Sequence, residues 1–113
     1  MPKSITRTYS RYTQDAIHLL ASLIREARLE RKMTVQEVAD RAGISRGLLQ
    51  RIEKGDLKCE IGAVFEVAAI VGIPLFNMHE HATLTHQLQQ TQAKLALMPK
   101  SIRKPTKVVK DDF

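Results

Sequence analysis

The sequence predicts an all-α protein, and three observations lead to this fold class. Apolar residues recur at helical spacing from Ala16 to Ala27, and no stretch alternates apolar and polar residues as a half-buried strand does. Glycine or proline interrupts the helical pattern at Gly43, Gly55 and Pro74. A chain of 113 residues is long enough for one modest core with flanking arms.

The predicted organisation has four parts. Residues 1–13 are expected to form an N-terminal arm, residues 14–79 a helical domain, residues 80–98 a C-terminal helix and residues 99–113 a basic tail. The tail has two prolines, alternating charge and few groups to bury. Its composition therefore favours flexibility when it is alone.

The first two helices follow from periodicity and capping signals. Helix 1 is predicted at about residues 14–31, followed by a tight link at residues 32–33. Helix 2 is predicted in TVQEVADRA, where Thr34 and Glu37 have the spacing of a capping box. Gly43 ends this helix, because glycine adopts the positive φ that the turn requires.

Helix 3 is predicted at residues 46–54, with Ser45 as its N-cap and Gly55 at its end. Helix 4 is predicted at about residues 60–71, and PLFNM is expected to form a short fifth element. The apolar side of helix 4 consists of Val64, Val67, Ala68 and Val71.

The predicted C-terminal helix carries a stripe at alternating spacings of four and three. Its members are Leu84, Leu88, Thr91, Leu95 and Met98, before Pro99 breaks the helix. This spacing is that of a short coiled-coil seam. Both pairing with a second chain and packing back onto the helical domain remain open.

The net charge of +6 favours an anionic partner. Residues 1–15 carry a net charge of +2 and residues 99–113 one of +3, which leaves +1 for residues 16–98. Contacts of the helical domain with nucleic acid must therefore come from local placement of basic residues. The two ends add a diffuse attraction.

Composition argues against several other classes. No stretch approaches the roughly 18 apolar residues of a membrane span, and MPKSITRTYS lacks the apolar segment of a secretory signal. We therefore expect a cytoplasmic protein. Cys59 is the only cysteine, which excludes an intrachain disulfide and a zinc site built on several thiolates.

Catalysis and metal binding are not expected. His79, His81 and His86 cluster in the sequence, but no cysteine or well-placed carboxylate completes a metal site. Thr34 and Ser45 have no histidine at a spacing suited to a nucleophile and its base, and no glycine-rich loop is present for a nucleotide phosphate. We expect no enzyme activity and no cofactor, and the role of the histidines stays open.

A helical wheel predicts an ion pair between helices 1 and 3. The apolar stripe of helix 1 consists of Ile17, Leu20, Ala21, Ile24 and Ala27. Arg28 falls inside this stripe, where an unpaired guanidinium is costly. Glu53 lies at the edge of the core side of helix 3, which consists of Leu48, Leu49 and Ile52. A bidentate Arg28–Glu53 pair would tie the two helices together. The alternative is an Arg28 side chain that extends to solvent.

Helix 3 then presents a polar side that we call the outer face. Its residues are Arg46, Gly47, Gln50, Arg51 and Lys54. A short helix with this face suits the major groove of DNA, where arginine binds guanine O6 and N7 and glutamine binds adenine in the same bidentate way. A merely solvated basic face is the alternative.

The stretch MTVQEVADRAGISRGLLQRIEKG resembles the helix-turn-helix of the Cro and phage-repressor family, also called the XRE family. The resemblance covers about residues 20–76 and rests on Ala39, Gly43, Ile44, Ile52, Glu53 and Gly55. It implies a five-helix lambda-repressor-like domain that binds double-stranded DNA, here with an extra C-terminal helix and a basic tail. The Arg28–Glu53 pair coincides with a salt bridge common in that family.

The resemblance also implies roles for individual positions. Those that face bases are Ser45, Arg46, Gly47 and Arg51, and those near phosphate are Lys54 and Lys58, to which we add Thr34. Val35 departs from the pattern, because many members carry a glutamine there that contacts phosphate. Since Gly47 has no side chain, the expected specificity shifts to Arg46, Gln50 and Arg51.

The segment after residue 74 resembles the HipB-like antitoxins, which are encoded beside HipA-type kinase toxins. LALMPKSIRK and the terminal DDF carry this resemblance. It implies a homodimer that represses its own operon at a palindromic operator and binds and neutralises a HipA-like kinase. Val108, Val109 and Phe113 are the tail residues expected to order against the kinase. The alternatives are a solvated or DNA-contacting tail, and a phage or plasmid repressor without a toxin partner.

Overall fold

The computed structural model describes residues 8–104. Within this range the chain forms five α-helices and no β-strand, which confirms the all-α prediction. The helices are α1 (Arg11–Glu30), α2 (Val35–Ala42), α3 (Arg46–Glu53), α4 (Ile61–Ile70) and α5 (His81–Ala96). None of them has the length and apolar character that a membrane crossing requires. The chain divides into one unit that ends at Asn77 and a second that begins at Met78.

All four helices of the first unit contribute to its core. Helix α1 packs against α3, and α2 packs against both α3 and α4. Each large aliphatic side chain buried here contributes about 1.5–3 kcal/mol to folding. The buried apolar residues are Ala21, Ile24, Val38, Ala39, Leu49, Ile52, Val67, Ala68 and Val71. Helical spacing therefore located the core sides of α1, α3 and α4 correctly.

Helix α1 begins earlier than predicted, at Arg11 rather than about residue 14. The Ser10 hydroxyl oxygen accepts a hydrogen bond from the Thr13 amide at 3.2 Å and caps the helix. Residues 11–13 carry no core side chain, and Tyr12 is 84% exposed. Apolar periodicity thus has no signal in this first turn, and the predicted N-terminal arm overlaps α1 at residues 11–13.

Helices α2 and α3 are joined by a tight turn with capped ends. The Thr34 hydroxyl accepts from the Glu37 amide at 3.0 Å, and the Glu37 carboxylate accepts from the Thr34 amide at 2.8 Å. Gly43 has a φ of 69°. The Ser45 hydroxyl accepts from the Leu48 amide at 3.0 Å. The predicted capping box, turn and N-cap are therefore confirmed.

The end of the first unit differs from the expectation of a short fifth element. Pro74 is followed by a tight turn in which Phe76 and Asn77 have φ values of 54° and 58°. Proline cannot donate to a continuing helix, and asparagine tolerates the left-handed region. The Phe76 ring meets Phe65 of α4 edge to face, with the centroids 6.2 Å apart. PLFNM therefore closes the first unit as a turn.

The second unit contains α5, whose bounds fall inside the predicted residues 80–98. No residue of α5 is buried. Leu88 is 54% exposed and Leu95 is 59% exposed. The predicted apolar stripe is thus accessible along much of the helix.

Candidate DNA-binding surface

Helix α3 separates two environments. Leu49 and Ile52 are buried in the core, whereas Arg46, Gln50 and Arg51 are exposed. This division follows from the helical period, which places residues three and four apart on the same side. The outer face predicted from the sequence is therefore accessible.

The inner side of α3 is fixed by a buried ion pair. The Nε and Nη2 atoms of Arg28 donate to the two carboxylate oxygens of Glu53 at 2.6 and 3.0 Å. The Nη1 atom donates to the Met33 carbonyl oxygen at 2.9 Å. The two charged side chains are only 9% and 7% exposed. The hydrogen bond to Glu53 raises the pKa of Arg28 against the opposing effect of burial.

This pair was predicted from the helical wheel, and the structure confirms it. Every nitrogen of the Arg28 guanidinium has an acceptor, as a buried charge requires. Because Met33 lies in the link before α2, the same side chain connects α1, α3 and that link. The ion pair therefore sets the orientation of α3 and, through it, the direction in which the outer face points.

Four of the five outer-face residues are exposed and have no side-chain partner in the described part of the protein. Arg46, Gln50 and Lys54 are exposed and make no side-chain hydrogen bond within residues 8–104. Gly47 is exposed as well, and no atom lies within 4 Å of the place where a Cβ would stand. The backbone at Gly47 can thus approach a duplex closely.

Two other predicted contact residues serve as helix caps. The hydroxyl oxygens of Thr34 and Ser45 each accept an amide hydrogen at the start of α2 and α3. A hydroxyl that accepts one hydrogen bond still has its own hydrogen to donate. Both residues are exposed at helix N-termini, where backbone dipoles favour a phosphate.

Arg51 differs from the other outer-face residues because it already has a partner. Its Nε atom donates to an Asp56 carboxylate oxygen at 2.9 Å, and the Arg51 side chain remains 52% exposed. The other Asp56 oxygen accepts from the Lys58 amide at 2.8 Å. The hydrogen bond from Arg51, followed by that from Lys58, lowers the pKa of Asp56, and Asp56 in turn raises the pKa of Arg51.

Sequence reasoning assigned no role to Asp56, which lies in the polar loop after α3. The available signal was an acidic residue directly after the glycine that ends the helix. Such a residue comes back beside the last turn when the glycine adopts a left-handed conformation. Lys58, predicted to contact phosphate, lies exposed two residues further on.

An apolar cavity of about 190 Å³ lies in the first unit, and none of the outer-face residues lines it. Its lining includes Ile17, Ile52, Cys59 and Phe65. Burial, with a smaller effect of Asp56, raises the pKa of the Cys59 thiol. A raised pKa disfavours the thiolate, which is the form that acts as a nucleophile or a metal ligand.

The histidine cluster and the basic tail are the other features noted in the sequence. Within residues 8–104 no group of three histidine, cysteine or acidic side chains is placed to hold a metal ion. His79, His81 and His86 are exposed. The tail residues Val108, Val109 and Phe113 lie outside the described residues.

Comparison with known proteins agrees with this geometry. Residues 24–75 match the helix-turn-helix family, from the last two turns of α1 to the turn after α4. No curated protein and no solved structure matches the chain. The matched region contains the ion pair, the capped turn, the outer face and the loop of Asp56.

Proposed function

We propose that this chain, which contains a helix-turn-helix domain, is a transcriptional repressor that binds specific sequences of double-stranded DNA. The observation that carries the proposal is the orientation of α3. Its apolar side is buried and its outer face is accessible, with the Arg28–Glu53 pair holding that arrangement. A DNA-binding regulator of this kind acts in the cytoplasm, where its operator lies.

The proposed roles follow from the chemistry of each side chain. Arg46, Gln50 and Arg51 contact base edges in the major groove, because they carry the bidentate donors and acceptors that distinguish base pairs. Ser45 and Gly47 bring the start of α3 close to the bases. The proposed phosphate contacts are Thr34, Lys54 and Lys58, which fix position without carrying sequence information.

A homodimer fits this function, because one α3 has too small an interface for strong specificity. The stripe on α5 supports pairing with a second copy, since its leucines are accessible and its spacing is that of a seam. Residues 81–98 contain one charged residue, Lys94, so two copies face little repulsion. Two α3 helices would then contact half-sites of a palindrome about 10 base pairs apart.

Selection from a randomised duplex library tests the DNA-binding proposal. The full chain should enrich a palindromic motif, and Arg46→Ala and Arg51→Ala should each relax different positions of it. Arg31→Ala removes the same charge at a position beside Gly72 that has no proposed contact with DNA, and it should keep the motif. Failure of the wild-type chain to enrich any motif contradicts sequence-specific binding.

Sedimentation equilibrium tests the homodimer. The double variant Leu88→Gln, Leu95→Gln should be monomeric while it retains its helical content, and it should bind half-sites independently. Gln89→Ala changes the opposite side of α5 and should leave the dimer intact. A dimer that survives the double substitution contradicts the role of α5.

We further propose that the repressor is the antitoxin of a toxin–antitoxin operon and that its tail binds a HipA-like kinase. The support is the resemblance of the C-terminal segment to HipB-like antitoxins, together with apolar residues among charges at Val108, Val109 and Phe113. A phage or plasmid repressor without a toxin partner is the alternative.

Co-expression with the product of the neighbouring reading frame separates these two functions. If the chain is an antitoxin, the neighbour is a kinase that copurifies with the full chain, and removal of residues 99–113 abolishes capture but preserves DNA binding. Capture that is independent of the tail contradicts the proposed site. A neighbouring frame without a kinase favours the phage or plasmid repressor.

A further inference from the structure

Asp56 is brought against Arg51 by the way α3 ends. Gly55 has a φ of 79° and is buried, and a side chain there would collide with the His18 ring. The Gly55 amide donates to the Ile52 carbonyl at 3.1 Å, and the Asp56 amide donates to the Arg51 carbonyl at 3.1 Å. These two bonds are those of a Schellman motif. The backbone therefore holds Asp56 at the C-terminal end of α3, next to the turn that carries Arg51.

The Asp56 carboxylate is held from two sides. One oxygen accepts from the Lys58 amide at 2.8 Å, and the other accepts from Arg51 Nε at 2.9 Å. The carboxylate thus has a defined position before any ligand is present. It connects the loop that carries Lys58 to a side chain on the outer face.

The bond to Asp56 uses only one of the three nitrogens of Arg51. Its two Nη atoms make no hydrogen bond within residues 8–104, and the side chain is 52% exposed. A guanidinium bound through Nε still presents both Nη atoms end-on, which is one of the bidentate geometries for guanine O6 and N7. Arg28 is the opposite case, because Glu53 and Met33 occupy all three of its nitrogens.

We infer that Asp56 is a positioning residue that aligns Arg51 for end-on contact with a guanine, and this inference rests on the proposed DNA-binding function. The pairing restricts the long arginine side chain before the complex forms. Less conformational entropy is then lost on binding, and one geometry at the base pair is favoured. Asp56 itself contacts no base in this arrangement.

The test compares variants by selection from a randomised duplex library, followed by competition binding on the selected duplex. The competitor has each guanine at the Arg51-dependent position replaced by adenine, with its partner changed to match. Asp56→Ala should reduce discrimination between the two duplexes by about fivefold or more. In the Arg51→Ala background, Asp56→Ala should cause no further loss of discrimination.

Two further variants control for charge and for geometry. Asp15→Ala removes a carboxylate that pairs with Arg11 Nε at 3.3 Å on α1, so it reports the effect of charge alone on affinity. It should leave discrimination unchanged. Asp56→Asn keeps one acceptor oxygen at the same position, which can still bind Arg51 Nε, and should restore part of the discrimination that Asp56→Ala loses.

The outcomes separate this inference from the function on which it rests. A wild-type chain that enriches no motif overturns both. A selected motif with equal discrimination in Asp56→Ala and Asp15→Ala overturns the positioning role alone. Higher discrimination in Asp56→Ala also overturns it, because Asp56 would then withhold Arg51 from the base. Circular dichroism of each variant verifies that the helices are retained.

Discussion

The two sides of α3 carry the same chemical pair in opposite settings. On the inner side Arg28 and Glu53 are almost fully buried, and every guanidinium nitrogen has a protein acceptor. On the outer side Arg51 and Asp56 are partly exposed, and one guanidinium nitrogen has a protein acceptor. The inner pair is complete without a ligand, whereas the outer pair leaves donors for one.

This difference shows why the type of pair alone does not assign its role. A buried pair stabilises the orientation of helices because removal of one partner leaves an uncompensated charge. An exposed pair contributes little to stability, since water solvates both groups when they separate. The same interaction therefore holds the fold on one side of α3 and directs a side chain on the other.

The largest effect is expected from breaking the inner pair. Glu53→Ala should destabilise the chain by about 3–5 kcal/mol, because Arg28 keeps its charge in a buried site. The free energy of unfolding in urea measures this loss. Asp56→Ala is the matched change on the outer side, and it should leave the urea midpoint nearly unchanged. Similar losses for the two variants would contradict the distinction between the pairs.

The next largest effect is expected when the arginine of the outer pair is removed, and it concerns DNA recognition. Arg51→Ala should reduce the preference for the selected duplex over its guanine-to-adenine competitor by about 5-fold to 150-fold, because a bidentate base contact is lost. Competition binding at fixed salt measures this ratio. The unfolding free energy should hardly change.

Lys58→Ala is the control for that variant. It should weaken binding to both duplexes alike and lower the salt dependence of binding by about one phosphate contact. An equal loss of preference in Arg51→Ala and Lys58→Ala would contradict the separation of base and phosphate contacts.

The smallest effect is expected from Gly47→Ala, which should change stability and DNA binding in opposite directions. Gly47→Ala should stabilise α3 by about 1 kcal/mol, because glycine is a poor helix former and the added Cβ meets no atom within 4 Å. It should also weaken DNA binding, because the added methyl group separates the backbone from the duplex. Gly62→Ala in α4, where a Cβ likewise meets no atom within 4 Å, should gain stability without changing affinity. Unchanged affinity in Gly47→Ala would contradict close approach of the backbone.

Much of the first unit could be predicted because its signals are local. The apolar stripe of α1 located Ala21 and Ile24 in the core, and the capping box gave the start of α2. Arg28 could be paired because a charge within an apolar stripe demands a partner. These features depend on helical geometry and on nearest neighbours in the sequence.

Other features depend on three-dimensional detail that periodicity does not contain. The first turn of α1 carries no core residue, so only the Ser10 cap defines it. Asp56 meets Arg51 because Gly55 reverses the chain, and the His18 ring leaves no room for a side chain at Gly55. The turn at Phe76 brings its ring edge to face with Phe65 of α4. The contacts of Gly55 and Phe76 join residues that are not neighbours in the sequence, so they can be identified only in the folded chain.

Amide chemical shifts of the ¹⁵N-labelled chain on titration with the selected duplex test the central claim most directly. We predict the largest changes at residues 45–51 and at Lys58, with small changes at the cavity residues Ile17 and Phe65. Large changes confined to α5, with the amides of α3 unaffected, would contradict the assignment of the outer face of α3 as the DNA-binding surface.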